Sequence, residues 1–329
     1  MGTLVSVHRP DRQHRGNGVR SVGATPRGAA AWHARSMRQE AVEVAVIHHR
    51  TPTLLAQALE RLAAFAPDVP VRVIDTAFDP SLALQLEGAH PHLSWLGAAN
   101  HSFADAVNTA ARHARRPLLL HMNADVMIGP DTLSALLEAF DDPRVAAAGP
   151  QARTPAGALQ DQGLPYRLHH ARLRWRRGRA AGRASVDVPW LSGCLQVLRL
   201  GALEAVGGFD ARLRFYNEDL EWCVRARRHG WRCLLVDVEV VHVGGAATNG
   251  NVAFAVEGVR GGYAFMRRHG MPWLRPLHRW GIAGGAWLTA QRAHDPAHRA
   301  AWRALAERSA RDDLVTSCLG ARLDDEPLC

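Results

Sequence analysis

From Glu43 onward, short apolar runs alternate with amphipathic segments as far as residue 245, and this alternation constrains the fold more than any other feature of the chain. A helix between two strands returns the chain to the end where the first strand began, so the pattern predicts βαβ units. The expected class is α/β, a Rossmann-like mixed but mainly parallel sheet flanked by helices. Strands are predicted at residues 44–47, 71–74, 93–96, 117–122, 190–198 and 233–243, and helices at 53–65, 103–113, 131–140 and 218–230. Pro130 opens the third helix, whose apolar face carries Leu133, Leu136 and Leu137. Residues 151–188 are less regular and include an arginine-dense stretch, 172–183, around Trp175.

Outside this core the composition changes. Residues 1–40 are rich in arginine and scattered glycine without sustained apolar periodicity, the pattern of a flexible basic tail. Met37 stands just before the first strand and is a candidate natural start. Residues 41–269 are expected to form the α/β domain and 270–329 a helical C-terminal extension. Lysine is absent, so all 40 basic side chains are arginine; against 31 acidic residues they leave a net charge of +9. Such a surface draws phosphates, nucleic acid or anionic lipid by long-range attraction. A nucleic-acid reader would carry a binding module or aligned aromatic platforms, and none is recognisable, so no specific nucleic acid is expected. The basic tail together with Trp273, Trp280 and Trp287 suits peripheral contact with an anionic membrane.

Five cysteines (Cys194, Cys223, Cys233, Cys318 and Cys329) form an odd set without CxxC spacing, which argues against a disulfide framework and a structural zinc site. They fit a reducing cytoplasm. No apolar run approaches the roughly 18 residues that a spanning helix needs. A cytoplasmic location follows, with peripheral contact at the inner face of the membrane.

Four elements carry chemistry. The strand at 117–122 runs into Asn123-Ala124-Asp125, and a carboxylate at a strand's carboxyl end faces the ligand crevice of an open α/β sheet. Hard oxygen donors there suit Mg2+ or Mn2+ shared with a diphosphate. Asp75 ends the second strand in the same way and could accept from a base N–H or a ribose hydroxyl. Glu218 and Asp219 open a helix, whose N-terminal dipole favours carboxylates as anions, the state a general base requires. His242 closes the last strand before Gly244 and Gly245, within reach of a metal or a phosphate. Taken singly, each also has an ordinary structural role as turn, cap or strand end.

Together, in this order, they resemble a family 2 glycosyltransferase with the GT-A fold, closest to the bacterial rhamnosyltransferase-like branch. The resemblance rests on VIHHRTPTLL, VRVIDTAFD, NHSFADAVNTAARHA, LLLHMNADVMIGPDTL, WLSGCLQVLR and GGFDARLRFYNEDLEWCVRARRHGW, ending in VVHVGG. It implies that Asp75 holds the nucleotide base, with the Thr51-Pro52 turn wrapping it. Asn100, Phe103, Ala104 and Asn108 would shape the nucleotide-sugar pocket, and Asn123 and Asp125 would form the diphosphate and metal motif. Gly193 would border the acceptor, Asp219 would be the catalytic base beside Glu218, and His242 would lie near the diphosphate and metal. The implied reaction is one in-line displacement with inversion, from a dTDP-, UDP- or GDP-sugar to a glycan or lipid-linked hydroxyl.

Two departures stand out. Asn123 replaces the first acid of the motif, and Asp75-Thr76-Ala77-Phe78 replaces the usual Asp-Asn-small-Ser. They motivate the alternative of a non-catalytic nucleotide- or glycan-binding domain.

Overall fold

A computed structural model of the protein describes residues 38–160, 164–177, 179, 183–245 and 252–313. The tail at 1–37 and residues 314–329 lie outside the described residues. The first half runs β1 (Val42–His48), α1 (Pro52–Phe65), β2 (Val71–Asp75), α2 (Pro80–Gln85), β3 (Leu93–Gly97), α3 (Phe103–His113), β4 (Leu118–Asn123), β5 (Val126–Met127), α4 (Thr132–Glu138) and β6 (Val145–Arg153). The second runs α5 (Leu164–Arg176), β7 (Ser185–Asp187), β8 (Leu195–Arg199), α6 (Leu200–Val206), α7 (Glu218–Arg228) and β9 (Arg232–His242). It ends in α8 (Val252–Arg268), α9 (Arg275–Arg292) and α10 (Pro296–Ala310).

Among the described residues the strands form one sheet ordered β3-β2-β1-β4-β8-β6-β9-β5, with β7 on β9. Strands β3, β2, β1 and β4 are mutually parallel, as the βαβ pattern predicts. Beyond β4 the sheet becomes mixed: β8 runs antiparallel to β4 and β6, while β9 is parallel to β6. Register decides what this arrangement brings together. Ile47 faces Asn123, His48 faces Asp75, and Met122 faces Leu195, so β8 begins where β4 ends. His48, Asp75, Asn123, Cys194 and His242 therefore gather at a single end of the sheet.

Local sequence explains the supporting helices. In α1, Pro52 occupies the first turn, where its missing N–H is harmless. Leu55, Ala58, Leu59 and Leu62 then recur at helical spacing and are buried. Helix α3 is capped by Ser102, whose side chain accepts from the Asp105 N–H at 3.0 Å. Strand β6 is buried on both faces, with eight of its nine residues buried. Its alanines have weak strand propensity, so no strand is predicted there; burial on both faces overrides propensity. Residues 190–194 of the predicted 190–198 strand are loop, and this loop enters the site.

A chain of rings ties the cleft floor to α7. Phe103 meets His121 at 5.9 Å, His121 meets Phe209 at 6.0 Å, and Phe209 stacks on Trp222 at 5.3 Å. Burial lowers the His121 pKa to about 4, against a weak raising contact with Gln196, so it packs here as a neutral ring. Separately, α8, α9 and α10 share a small core of Val256, Val259, Tyr263, Ala286, Leu305 and Ala306. No helix among the described residues is long and apolar enough to cross a membrane.

Candidate active site

The strand ends and the turn before α7 enclose a cleft of about 410 Å3. Of the residues singled out in the sequence, it is lined by Thr51, Asn100, Phe103, Asn123, Asp125, Gly193, Glu218, Asp219 and His242. Four others lie elsewhere. Pro52 is the first residue of α1. Ala104 is fully buried in the core beneath α3. Asn108 clamps the Gly207-Gly208 corner: its Nδ2 donates to the Phe209 carbonyl at 2.8 Å, and its Oδ1 accepts from the Phe209 N–H at 2.9 Å. A Cβ at Gly208 would stand 2.6 Å from that same Oδ1, so the corner admits only glycine. Replacing Asn108 by Ala strands two backbone groups and is expected to cost ~1–3 kcal/mol in denaturant unfolding with nucleotide affinity retained. Lost affinity at unchanged stability would instead give Asn108 a pocket role.

Asp75, the fourth, is buried at the end of β2 with its carboxylate fully engaged. Oδ1 accepts from His48 Nδ1 at 3.1 Å and the Ala77 N–H at 2.9 Å, and Oδ2 accepts from the Asp79 N–H at 2.8 Å. Burial opposes its charge, but these donors outweigh burial and hold its pKa below the usual value. His48 Nε2 accepts from the Thr51 N–H at 3.1 Å, which fixes the tautomer with the proton on Nδ1. Asp75 thus organises the Thr51 turn that forms one wall. Phe78, with φ of +56°, is exposed and lies against Gly97.

The base side is built by α7. Asn217 precedes it in the left-handed region, and Asp219 hangs from two backbone donors: Gly193 N–H to Oδ2 at 2.7 Å and Leu220 N–H to Oδ1 at 2.7 Å. A Cβ at Gly193 would crowd Phe103 at 3.3 Å and Asp219 at 3.4 Å, so the close approach depends on glycine. Contrary to the simple dipole expectation, burial raises both carboxyls above their usual values, Glu218 to about 8 with the Asp219 charge adding to the effect. Glu218 Oε2 has no hydrogen-bond partner, whereas Asp219 has two donors. The shared proton therefore rests on Glu218 and leaves Asp219 the anion.

Folded Glu218 keeps a proton that the unfolded chain releases above its ordinary value near 4.5, so the native state binds more protons between there and about 8. This group's contribution to stability falls as pH rises through that window, by at most about 1.4 kcal/mol per pH unit. Comparing melting curves of wild type and Glu218→Gln from pH 5 to 8, the variant is expected to lose less stability on the alkaline side. Parallel curves would show that Glu218 does not titrate there.

The metal side lies one residue further along the same loop. His242 Nε2 stands 3.3 Å from Asp125 Oδ1, and His242 Nδ1 donates to Gln160 Oε1 at 2.8 Å. Gln160 also donates to the His242 carbonyl at 2.9 Å, and the Gly244 N–H donates to Asp125 Oδ2 at 3.1 Å. Burial opposes the imidazolium, yet Asp125 and the Cys194 thiol overcome it and raise the His242 pKa to about 10. Gly193 thus touches the base while its neighbour Cys194 touches the metal-side histidine, and the Cys194 carbonyl accepts from the Asn123 N–H at 2.9 Å. Cys194, Gln160 and His48 gave no readable sequence signal, since each acts through a contact across more than 25 residues of chain.

With the Nδ1–H held on Gln160, loss of the Nε2 proton to an arriving ion would leave an imidazole lone pair facing the Asp125 oxygen, a donor pair that suits Mg2+ or Mn2+. Among the described residues no group of three His, Cys, Asp or Glu could hold an ion, so diphosphate oxygens and water would complete the shell.

This sheet, with its site at the strand ends and helices after it, is the GT-A fold. It is similar to the mannosyltransferase PcManGT from Pyrobaculum calidifontis in complex with GDP-Man and Mn2+, with a TM-score of 0.57 and 18% identity over 88% of this chain and 93% of that one. It is also similar to GalNAc-T7 with UDP, GalNAc and Mn2+, with a TM-score of 0.50 and 14% identity over 67% and 47%. The sequence pattern described as "Glycosyltransferase like family 2" matches residues 41–256, and the chain belongs to that family. It is 32% identical over 181 residues to an N-acetylglucosaminyl-diphospho-decaprenol L-rhamnosyltransferase of Mycobacterium tuberculosis. That match covers 49% of this chain and 59% of the relative, so the chain spans about three-fifths of the curated relative's length. An O-antigen biosynthesis protein, RfbC, of Myxococcus xanthus is 30% identical over 136 residues, 38% of this chain and 11% of that one.

Proposed function

We propose that this protein is an inverting glycosyltransferase that moves a sugar from a nucleotide-diphosphate donor, a dTDP-, UDP- or GDP-sugar, to a hydroxyl of a glycan or lipid-linked acceptor. The observation that carries the reading is the Gly193-Cys194 step, which sets an anionic Asp219 and the Asp125–His242 pair side by side in one cleft. Asp219 removes the proton from the acceptor hydroxyl as that oxygen attacks the anomeric carbon, and the diphosphate leaves on the opposite side. Holding both partners in one cleft supplies the orientation. A divalent ion held by Asp125 and His242 would neutralise charge developing on the leaving diphosphate. Asn123 and the Thr51 turn border the donor, and Asp75 sets that turn from beneath.

A lipid-linked acceptor would bring the protein to a membrane surface from the cytoplasm. Trp273, Leu277, Trp280, Trp287 and Leu288 fall on one side of α9 and its approach, all exposed, with Trp273 72% accessible. Arginines such as Arg275 and Arg292 flank them, the combination that favours anionic lipid surfaces.

The deciding experiment is a thermal-shift series with UDP, dTDP and GDP, each with and without Mn2+. A ligand that binds only the folded state raises the melting temperature by mass action. A shift with one nucleotide that grows with Mn2+ is the expected result. No shift with any nucleotide would overturn the proposal.

A further inference from the structure

We infer that His49 reads the nucleotide base, its Nε2 accepting from the ring N–H that uracil, thymine and guanine share. The inference rests on the transferase reading and moves base recognition away from Asp75, to which the family resemblance assigns it.

Strand order places the nucleoside. Strands β2, β1, β4 and β8 stand side by side in the sheet. At their cleft ends they present Thr76, then His49, then Asn123 with Asp125, then Gly193 with Cys194. Asp219 hangs on Gly193, so the transferred sugar and its acceptor belong on the β8 side of the Asp125–His242 pair. In a nucleotide sugar the sugar and the nucleoside leave the diphosphate in opposite directions. The nucleoside therefore extends over β1 and β2, where His49, Thr51, Thr76 and Asn100 line the wall. Asp75 ends β2 at that place, but its two oxygens already hold His48 and the Ala77 and Asp79 N–H groups.

On this wall the hydrogen-bonding role of His49 is fixed. The Thr76 hydroxyl has one proton, which it donates to the His48 carbonyl at 2.9 Å. Its oxygen can then only accept from His49 Nδ1, 3.0 Å away, so Nδ1 carries the imidazole proton and Nε2 the lone pair. The Thr76 N–H donates to the same His48 carbonyl at 3.0 Å, which ties the threonine to β1 at two points and sets the ring. Burial, with the Arg50 charge adding, holds the His49 pKa below its ordinary value against a raising contact with the Thr76 backbone. The ring is therefore neutral at pH 7. Thr51 and Asn100 each offer both a donor and an acceptor, so neither chooses between base edges. His49 offers an acceptor only, and a base that turns a ring N–H toward it satisfies that nitrogen.

A site built around one substrate N–H rejects the analogue that lacks it. The probes are UDP, dTDP and GDP beside their methylated counterparts, with the methyl on N3 of the pyrimidines and on N1 of guanine. Each is titrated calorimetrically into the full chain with Mn2+ present. At least one parent nucleotide is expected to bind about tenfold or more tighter than its methylated form, the cost of leaving the pair unmade. His49→Phe is expected to lower the parent to the affinity of the methylated form. Thr76 acts as a positioning residue: Thr76→Val is expected to narrow the preference and Thr76→Ser to keep it. Melting curves check that each variant is folded, and His49→Leu makes the same comparison should His49→Phe not fold. The inference is overturned if parent and methylated nucleotides bind equally well, or if the His49 variant keeps the full preference. Absence of binding by every nucleotide would remove the transferase reading together with it.

Discussion

Replacing Asp219 by Asn is expected to lower kcat by about 10²- to 10⁴-fold, the range a positioned general base contributes, with donor affinity nearly unchanged. The variant removes the charge and the proton-accepting capacity while preserving shape. It is not silent structurally, because both Asp219 oxygens accept from backbone N–H groups, of Gly193 and of Leu220. An amide can satisfy one of them, and its NH2 then faces the other donor, at a cost of ~1–3 kcal/mol. The measurement therefore pairs steady-state kinetics with nucleotide titration and a melting curve. Retained nucleotide binding with abolished transfer identifies the base. Equal loss of binding and turnover, with a lower melting point, would reduce Asp219 to a structural anchor of the Gly193 loop.

Much of this arrangement is legible in the amino-acid sequence. Strands β1, β2 and β4 and helices α1, α3 and α7 announce themselves by periodicity, because each buries one face or one continuous run. Strand β6 was not legible: Val145 to Arg153 is mostly alanine, glycine and proline, and only its position between β8 and β9 makes it a strand. Helix α5 is equally opaque, since its many arginines dilute any apolar stripe. At the site, Asp125, Asp219 and His242 stand at element ends, where sequence rules have most force. What eluded the sequence was pairing across distance. Nothing near Asp75 in the chain indicates that the His48 ring, 27 residues away, occupies one side of its carboxylate. Likewise, that Gly258 and Gly261 seat the turn of Tyr216 becomes visible only when α8 is laid against it.

Asp125 carries the second large effect, because Asn123 leaves it the one carboxylate in the Asn123-Ala124-Asp125 motif. Asp125→Asn is expected to weaken Mn2+-dependent nucleotide binding by about 10- to 100-fold, while metal-free nucleotide binding changes little. The asparagine oxygen still accepts from the Gly244 N–H, so the backbone link between β5 and the end of β9 survives. What disappears is the charge that faces His242 at 3.3 Å. Asp125→Ala would confuse two effects, since it also strands the Gly244 N–H. The two variants together therefore separate metal binding from scaffolding. With the asparagine variant, calorimetric titration of the nucleotide with and without Mn2+ should show that most of the metal's enhancement is gone while the melting curve still shows a cooperative fold. If the enhancement persists in full, Asp125 is a strand-end anchor, and the ion is held by other groups.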